Sequence, residues 1–205
     1  MALDSYDNLK EAALRWLGGS TSGGDSTLPG AADDAIALWE DELNRRLRVP
    51  EMLRRDRATA VAEFEALPPG VLKLLHIGRV DDQGVERPLT PIPLAAWPDQ
   101  TYADTGVPRF YAIVGGQIRF KPAPSPEAPC LYRVTSLGKL PALTGDNLCT
   151  AVLVSYPRLY LYGTLKHATA YVQDAPGFQS WAALFEEALA AANRAAVVRD
   201  PVWSK

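Results

Sequence analysis

The sequence predicts an α+β fold, with a helical part built from N- and C-terminal helices around a central antiparallel β-rich region that contains a GG-turn hairpin. Three observations carry this expectation. Near both ends of the chain, apolar residues recur at the three-and-four spacing of one helix face. From about Met52 to Cys149 the texture changes to short runs of Val, Ile, Thr and aromatics, broken by proline and glycine. Within that stretch RFYAIVGGQIRF places two alternating arms about Gly115 and Gly116, the residue type that reaches the positive φ of a two-residue turn most readily. The expected division is 1–50 and 150–198 for the helical part, 51–149 for the β-rich part and 199–205 for a C-terminal tail, all within one folding unit.

Taken in order, Ser5 or Asp7 can cap a first helix whose apolar face is Leu9, Ala12, Ala13, Trp16 and Leu17. A loop rich in glycine and proline follows at 18–30; it lacks the Gly-Lys-Ser/Thr ending that a phosphate-binding loop requires. A second helix is expected over Ala31–Val49, with Ile36, Trp39, Leu43 and Leu47 as its stripe and Asp33 and Asp34 near its positive end. Strands are expected over Ala58–Phe64, Leu72–Val80, Glu86–Leu89, Arg109–Val114, Gln117–Lys121 and Leu131–Ser136. Helix returns over Tyr156–Val172 and from Pro176 to about Val198, the latter with Trp181, Phe185, Leu189 and Ala192 near one face. Tyr160, Tyr162 and Tyr171 fall at helical spacing and read as packing between these two helices.

Composition narrows the function classes. With 205 residues, 47% hydrophobic and 22% charged, the chain can bury a real core, and no apolar run approaches the ~20 residues of a membrane span. The N-terminal segment carries acids early and does not read as a signal peptide. Cys130 and Cys149 lack CxxC spacing and read as two packed, reduced thiols. A formal charge of -3 argues against wrapping nucleic acid through a basic surface, although a wall past which DNA slides stays open.

The search for chemistry returns little. His76 and His167 are the only histidines, so no HExxH and no His/Cys metal spacing can be drawn, and there is no GxSxG elbow. Acidic pairs such as Asp33/Asp34, Glu40/Glu42 and Glu186/Glu187 sit in helical segments at spacings that do not converge. No catalytic residue, cofactor or metal is therefore assigned, and an enzyme is not expected. Arg45, Arg46 and Arg48 favour a helix C-terminus electrostatically, and Arg54, Arg55 and Arg57 extend the cluster past Pro50. Two readings stay open for it: a solvated charged face, or contacts to a partner subunit or DNA. The tail RDPVWSK leaves Val202 and Trp203 on a segment too short to bury them alone, so they either fold back or dock onto a neighbour.

Four segments, in order, resemble a known family. They are SYDNLKEAALRWL at 5–17, DDAIALWEDELNRRLRV at 33–49, RFYAIVGGQIRFKPAP at 109–124 and YPRLYLYGTLKHATAYV at 156–172. Together they resemble the adaptor proteins that connect the portal to the tail in tailed phages and prophages; the hairpin segment is the most specific. The sequence departs from that pattern in its long glycine-rich loop at 18–30 and in the apolar GVLKLLHIGRV at 70–80. The resemblance implies a structural head-to-tail adaptor in the neck of a virion, assembled in the host cytoplasm. It also implies a ring matching the portal's usual twelvefold symmetry, contacts to portal and to tail, nozzle or other neck proteins, packaged DNA passing through the channel, and no membrane. The partner-binding residues expected from the two lines of reading are Arg45, Arg46, Arg48, Arg54, Arg55, Tyr111, Gly115, Gly116, Val202 and Trp203. The competing expectations are another neck protein, such as a head-completion or tail-terminator protein, and a small hydrolase or nuclease built on His76 or His167.

Overall fold

A computed structural model describes residues 3–17, 27–97, 104–171 and 173–199. The chain forms two units: a helical one from the described residues of 1–52 and 140–205, and a β-rich one from 53–139.

In the helical unit, α1 (Tyr6–Trp16) starts where the Ser5 side chain accepts a hydrogen bond from the Asn8 amide at 3.3 Å, which meets one of the unpaired donors of the first turn. It buries Leu9, Ala12, Ala13 and Leu14. Trp16, expected on that buried face, is instead 58% exposed, because it lies at the last turn and packs only edge-on against Trp181, 5.3 Å away. The second helix, α2 (Thr27–Arg46), begins four residues before the expected start and stops three before the expected end; a short 3-10 turn then occupies Pro50–Met52. Two helices were expected in the last quarter and three are present: a short α3 (Ala151–Ser155) capped by Thr150, α4 (Pro157–Tyr171) and α5 (Ala175–Arg199). Pro157 sits where a missing N–H costs nothing, at the first position of α4.

The centre of this unit is Trp39 of α2, fully buried against Tyr160 of α4 at 4.5 Å and Phe185 of α5 at 6.3 Å, both edge-to-face. Gly163 makes this approach possible, since a Cβ there would lie 2.6 Å from the Trp39 ring. Of the three tyrosines read as packing, Tyr160 is buried and Tyr162 stacks on Trp181, whereas Tyr171 is 60% exposed at the end of its helix. Residues 140–149 carry no strand and are tied to α2 by buried polar groups. The Leu140 amide donates to Asn44 at 2.8 Å, and the Leu143 amide donates to the Glu40 carboxylate at 3.1 Å. Buried Glu40 and Asn44 thus satisfy backbone that would otherwise be orphaned.

The β unit holds two four-stranded sheets. One has the order β1-β8-β3-β4, from β1 (Leu53–Ala60), β8 (Cys130–Gly138), β3 (Val71–Val80) and β4 (Glu86–Pro88), all antiparallel. The other has the order β2-β7-β6-β5, from β2 (Phe64–Ala66), β7 (Gln117–Lys121), β6 (Phe110–Val114) and β5 (Thr90–Pro91), the last pair parallel. Ala60, Ile77, Tyr132 and Val134 of the first sheet and Tyr111, Ile118 and Phe120 of the second share one apolar core, with Phe120 and Tyr132 in edge contact at 5.2 Å. Between β6 and β7, Val114 pairs with Gln117, and Gly115 and Gly116 turn the chain at φ of 57° and 81°.

Two strand expectations require correction. The first strand begins at Leu53, not Ala58, so Arg54, Arg55 and Arg57 lie within a strand. As an edge strand pairing only with β8, β1 needs no alternating apolar face, and charge there discourages pairing with other chains. Phe64, expected in that same strand, belongs to the short β2 of the other sheet.

Candidate partner-binding surfaces

The six arginines of the 45–57 cluster do different jobs. In α2, Arg46 reaches across to α5 at the surface. Its guanidinium donates to Glu42 one turn back at 2.7 Å and to both carboxylate oxygens of Glu186 on α5, at 2.7 and 2.5 Å. Glu42 also accepts from Lys166 at 2.7 Å and lies 3.2 Å from His167 Nε2, both on α4. Burial alone would raise the Glu42 carboxyl, but the hydrogen bonds from Lys166, Arg46 and His167 overcome it and hold it at about 2. The bond from Arg46 likewise lowers Glu186, and the two carboxylates hold Arg46 well above its ordinary value. Burial lowers His167 in spite of its bond to Glu42. This knot joins three helices and is structural.

Arg48 closes α2. Its guanidinium donates to the carbonyls of Asn44 (3.2 Å), Arg45 (2.7 Å) and Leu47, and its amide donates to Asn193 of α5 at 2.8 Å. Arg45 is the outward member: its side chain is 70% exposed and meets only Asp41, one turn back on the same helix, at 3.0 Å.

In the β unit, Arg54 lies across Gly138, where a Cβ would come within 2.0 Å of its Cδ, and its guanidinium donates to the Pro69 carbonyl at 3.3 Å. Arg55 is exposed and 3.6 Å from Glu86. Glu86 reaches across β3 above Gly78, whose missing side chain leaves room for it, to pair with Arg133 and to approach His76 at 3.4 Å. Sequence reasoning did not single out Glu86 or Arg133, because a glutamate at a turn and an arginine in an alternating strand carry no local mark of pairing.

Of the hairpin residues, Tyr111 is 7% exposed and faces the core, so its ring belongs to packing. Gly115 and Gly116 stand at an open tip, with nothing near enough to touch an added Cβ. Val202 and Trp203 lie outside the described residues. Both histidines have structural partners, His76 with Glu86 and His167 with Glu42, and they lie in different units. Among the described residues no group of three or more His, Cys, Asp or Glu could hold a metal ion, and the two cysteines are free thiols. Among the described residues no helix is long and apolar enough to cross a membrane.

One concave surface escaped the sequence reading. A groove of about 570 Å³ runs between the N-terminal half of α4 and the middle of α5, walled by Pro157, Arg158, Tyr162, Leu184, Ala188 and Ala191. Its signal was the alanine-rich course of α5, whose small side chains leave space beside the larger ones of α4.

The model of a family described as "SU10 adaptor protein" matches residues 4–203. None of the curated proteins matches the sequence. Among solved structures, a chain from the neck of an empty GTA particle computed with C6 symmetry is similar at 18% identity. The match covers 81% of this chain and 76% of that one, with a TM-score of 0.28.

Proposed function

Because the chain belongs to the SU10 adaptor family, we propose that it is a structural head-to-tail adaptor: a neck subunit of a phage particle that forms a ring between portal and tail and helps line the DNA channel. The observation that carries this reading is the family match over nearly the whole chain, which takes in both the helical and the β-rich unit. The side-chain chemistry agrees with it. The strongest charge clusters, around Glu42 and Glu86, are held within their own units, and exposed charges of both signs, such as Asp41 and Arg45, remain on the surface. A subunit of a closed ring must present two different, complementary patches, and such a surface suits a heterologous contact better than a catalytic cleft. The net charge of -3 suits a channel wall that DNA passes without being gripped.

In this reading the portal, tail or nozzle proteins and other copies of the chain are the partners, twelvefold symmetry follows from the portal, and the protein acts in the virion. Exposed Arg45 and Arg55 and the open Gly115–Gly116 tip are the contact candidates. The test is removal of the chain during particle production. Filled heads without attached tails are expected, and restoring the chain rescues tail joining. Tailed, infectious particles formed in its absence would overturn the reading. Changing His76 and His167 to alanine together should leave the yield of infectious particles within about twofold.

A further inference from the structure

The outer face of α2 carries an exposed leucine among charges, and the α4/α5 groove is apolar between a base and an acid. Leu38, 62% exposed, stands at the centre of the α2 face, with Asp34 one turn before it and Asp41 and Arg45 three and seven residues after. Leucine so placed gains nothing from its own unit. The Asp34 side chain has no hydrogen bond or ion pair among the described residues, and the side chains of Asp41 and Arg45 have only each other. The groove presents the counterpart: an aliphatic and aromatic floor with Arg158 on the α4 wall and Glu187 on the α5 wall. Neither Arg158 nor Glu187 is ion-paired among the described residues. Arg158 also stands at the N-terminal end of α4, where the helix dipole favours an acid.

We infer that the α4/α5 groove receives the α2 face of a second copy of this chain, Leu38 entering between the helices while Asp41 meets Arg158 and Arg45 meets Glu187. The inference rests on the ring reading above and deepens it by naming the contact. The dimensions agree: side chains one turn apart are about 6 Å from each other, and the walls of a groove between packed helices stand about 8–10 Å apart, within reach of a glutamate and an arginine. With α2 crossing the groove, the apolar anchor and the two opposite charges set the direction of docking. Because the knob and the groove are different patches of one chain, the contact is heterologous and repeats around a ring.

Cysteine trapping tests this in the full chain with Cys130→Ser and Cys149→Ser as background. Leu38→Cys together with Ala188→Cys, oxidised at high concentration, should give a ladder of disulfide-linked multimers, and Leu38→Cys paired with Ala62→Cys should not. A charge exchange supplies a second readout on exposed residues that folding does not require. Arg45→Glu or Glu187→Arg alone should raise the concentration for half-assembly roughly tenfold, and the two together should restore most of it. Multimers of the unaltered chain seen by amine cross-linking, without the disulfide ladder and with additive charge effects, would overturn this inference and leave the ring reading intact. A chain that forms no multimers by either route, alone or mixed with its portal, would overturn both.

Discussion

The two units tie their elements together with similar charge clusters but bury charge of opposite sign. In the helical unit, half-buried Glu42 gathers Arg46, Lys166 and His167 from two helices, and buried Glu40 and Asn44 fasten the segment at 140–143. In the β unit, Glu86, as little exposed as Glu42, ties Arg133, Arg55 and His76 together on a sheet face, and the buried charge among the described residues is Lys121, which reaches Asp104. Helices meeting side by side leave their polar rows in reach of one another, so buried pairing can fix which helices meet. Sheets are fixed by their ladders and need no such knot. An arginine in this chain therefore identifies a partner-facing position only when its own unit leaves it outside, as with Arg45.

That contrast can be broken at graded strengths. The largest effect should come from Trp39→Ala, which empties the meeting point of α2, α4 and α5; a loss of about 3–5 kcal/mol in urea unfolding is expected, and a loss under about 1 kcal/mol would show that the three helices do not depend on it. Next is Glu42→Gln, expected to cost about 2–3 kcal/mol at neutral pH because Arg46 and Lys166 lose their common partner. The pH dependence has a definite sign. The folded pKa of Glu42 lies below its ordinary 4.5, so its contribution is complete above about pH 4.5 and is lost as pH falls through about 2. His167 is held below its ordinary 6.5 by burial, so the helical unit also loses stability as pH drops below that value. Helical circular dichroism followed on acidification should therefore show a first loss of stability below about pH 6.5 and a second between about pH 4.5 and 2, and Glu42→Gln should make the second shallower. A smaller effect, about 1–2 kcal/mol, is expected for Gly116→Ala, whose φ of 81° an alanine adopts only with strain; thermal unfolding reads it. The smallest is Arg45→Ala, within about 0.5 kcal/mol for the isolated chain, since its only partner is an exposed neighbour on the same helix.

Much of the fold is legible in the sequence where local pattern and tertiary demand agree. Ser5 marks the start of α1, the spacing of Ile36, Trp39, Leu43 and Leu47 marks α2, and RFYAIVGGQIRF marks the antiparallel pair of β6 and β7. Legibility fails where tertiary context decides. Arg54, Arg55 and Arg57 read as the continuation of a basic helix end, yet pairing with β8 draws them into a strand. The five residues of α3 are too few to show a period. Gly163 is unremarkable until Trp39 lies against it. Tyr111 reads as a hairpin aromatic open to a partner, but alternation turns its ring to the core. The groove depends on α5 being small where α4 is large, which no single segment reveals.

The central claim is a ring that bridges portal and tail, and electron microscopy of the full chain mixed with its portal tests it most directly. A closed ring of this chain stacked on the tail-facing end of the portal, with the portal's own symmetry, is the predicted result. Portals that remain bare at saturating chain, or that carry it at scattered positions without a ring, would contradict it.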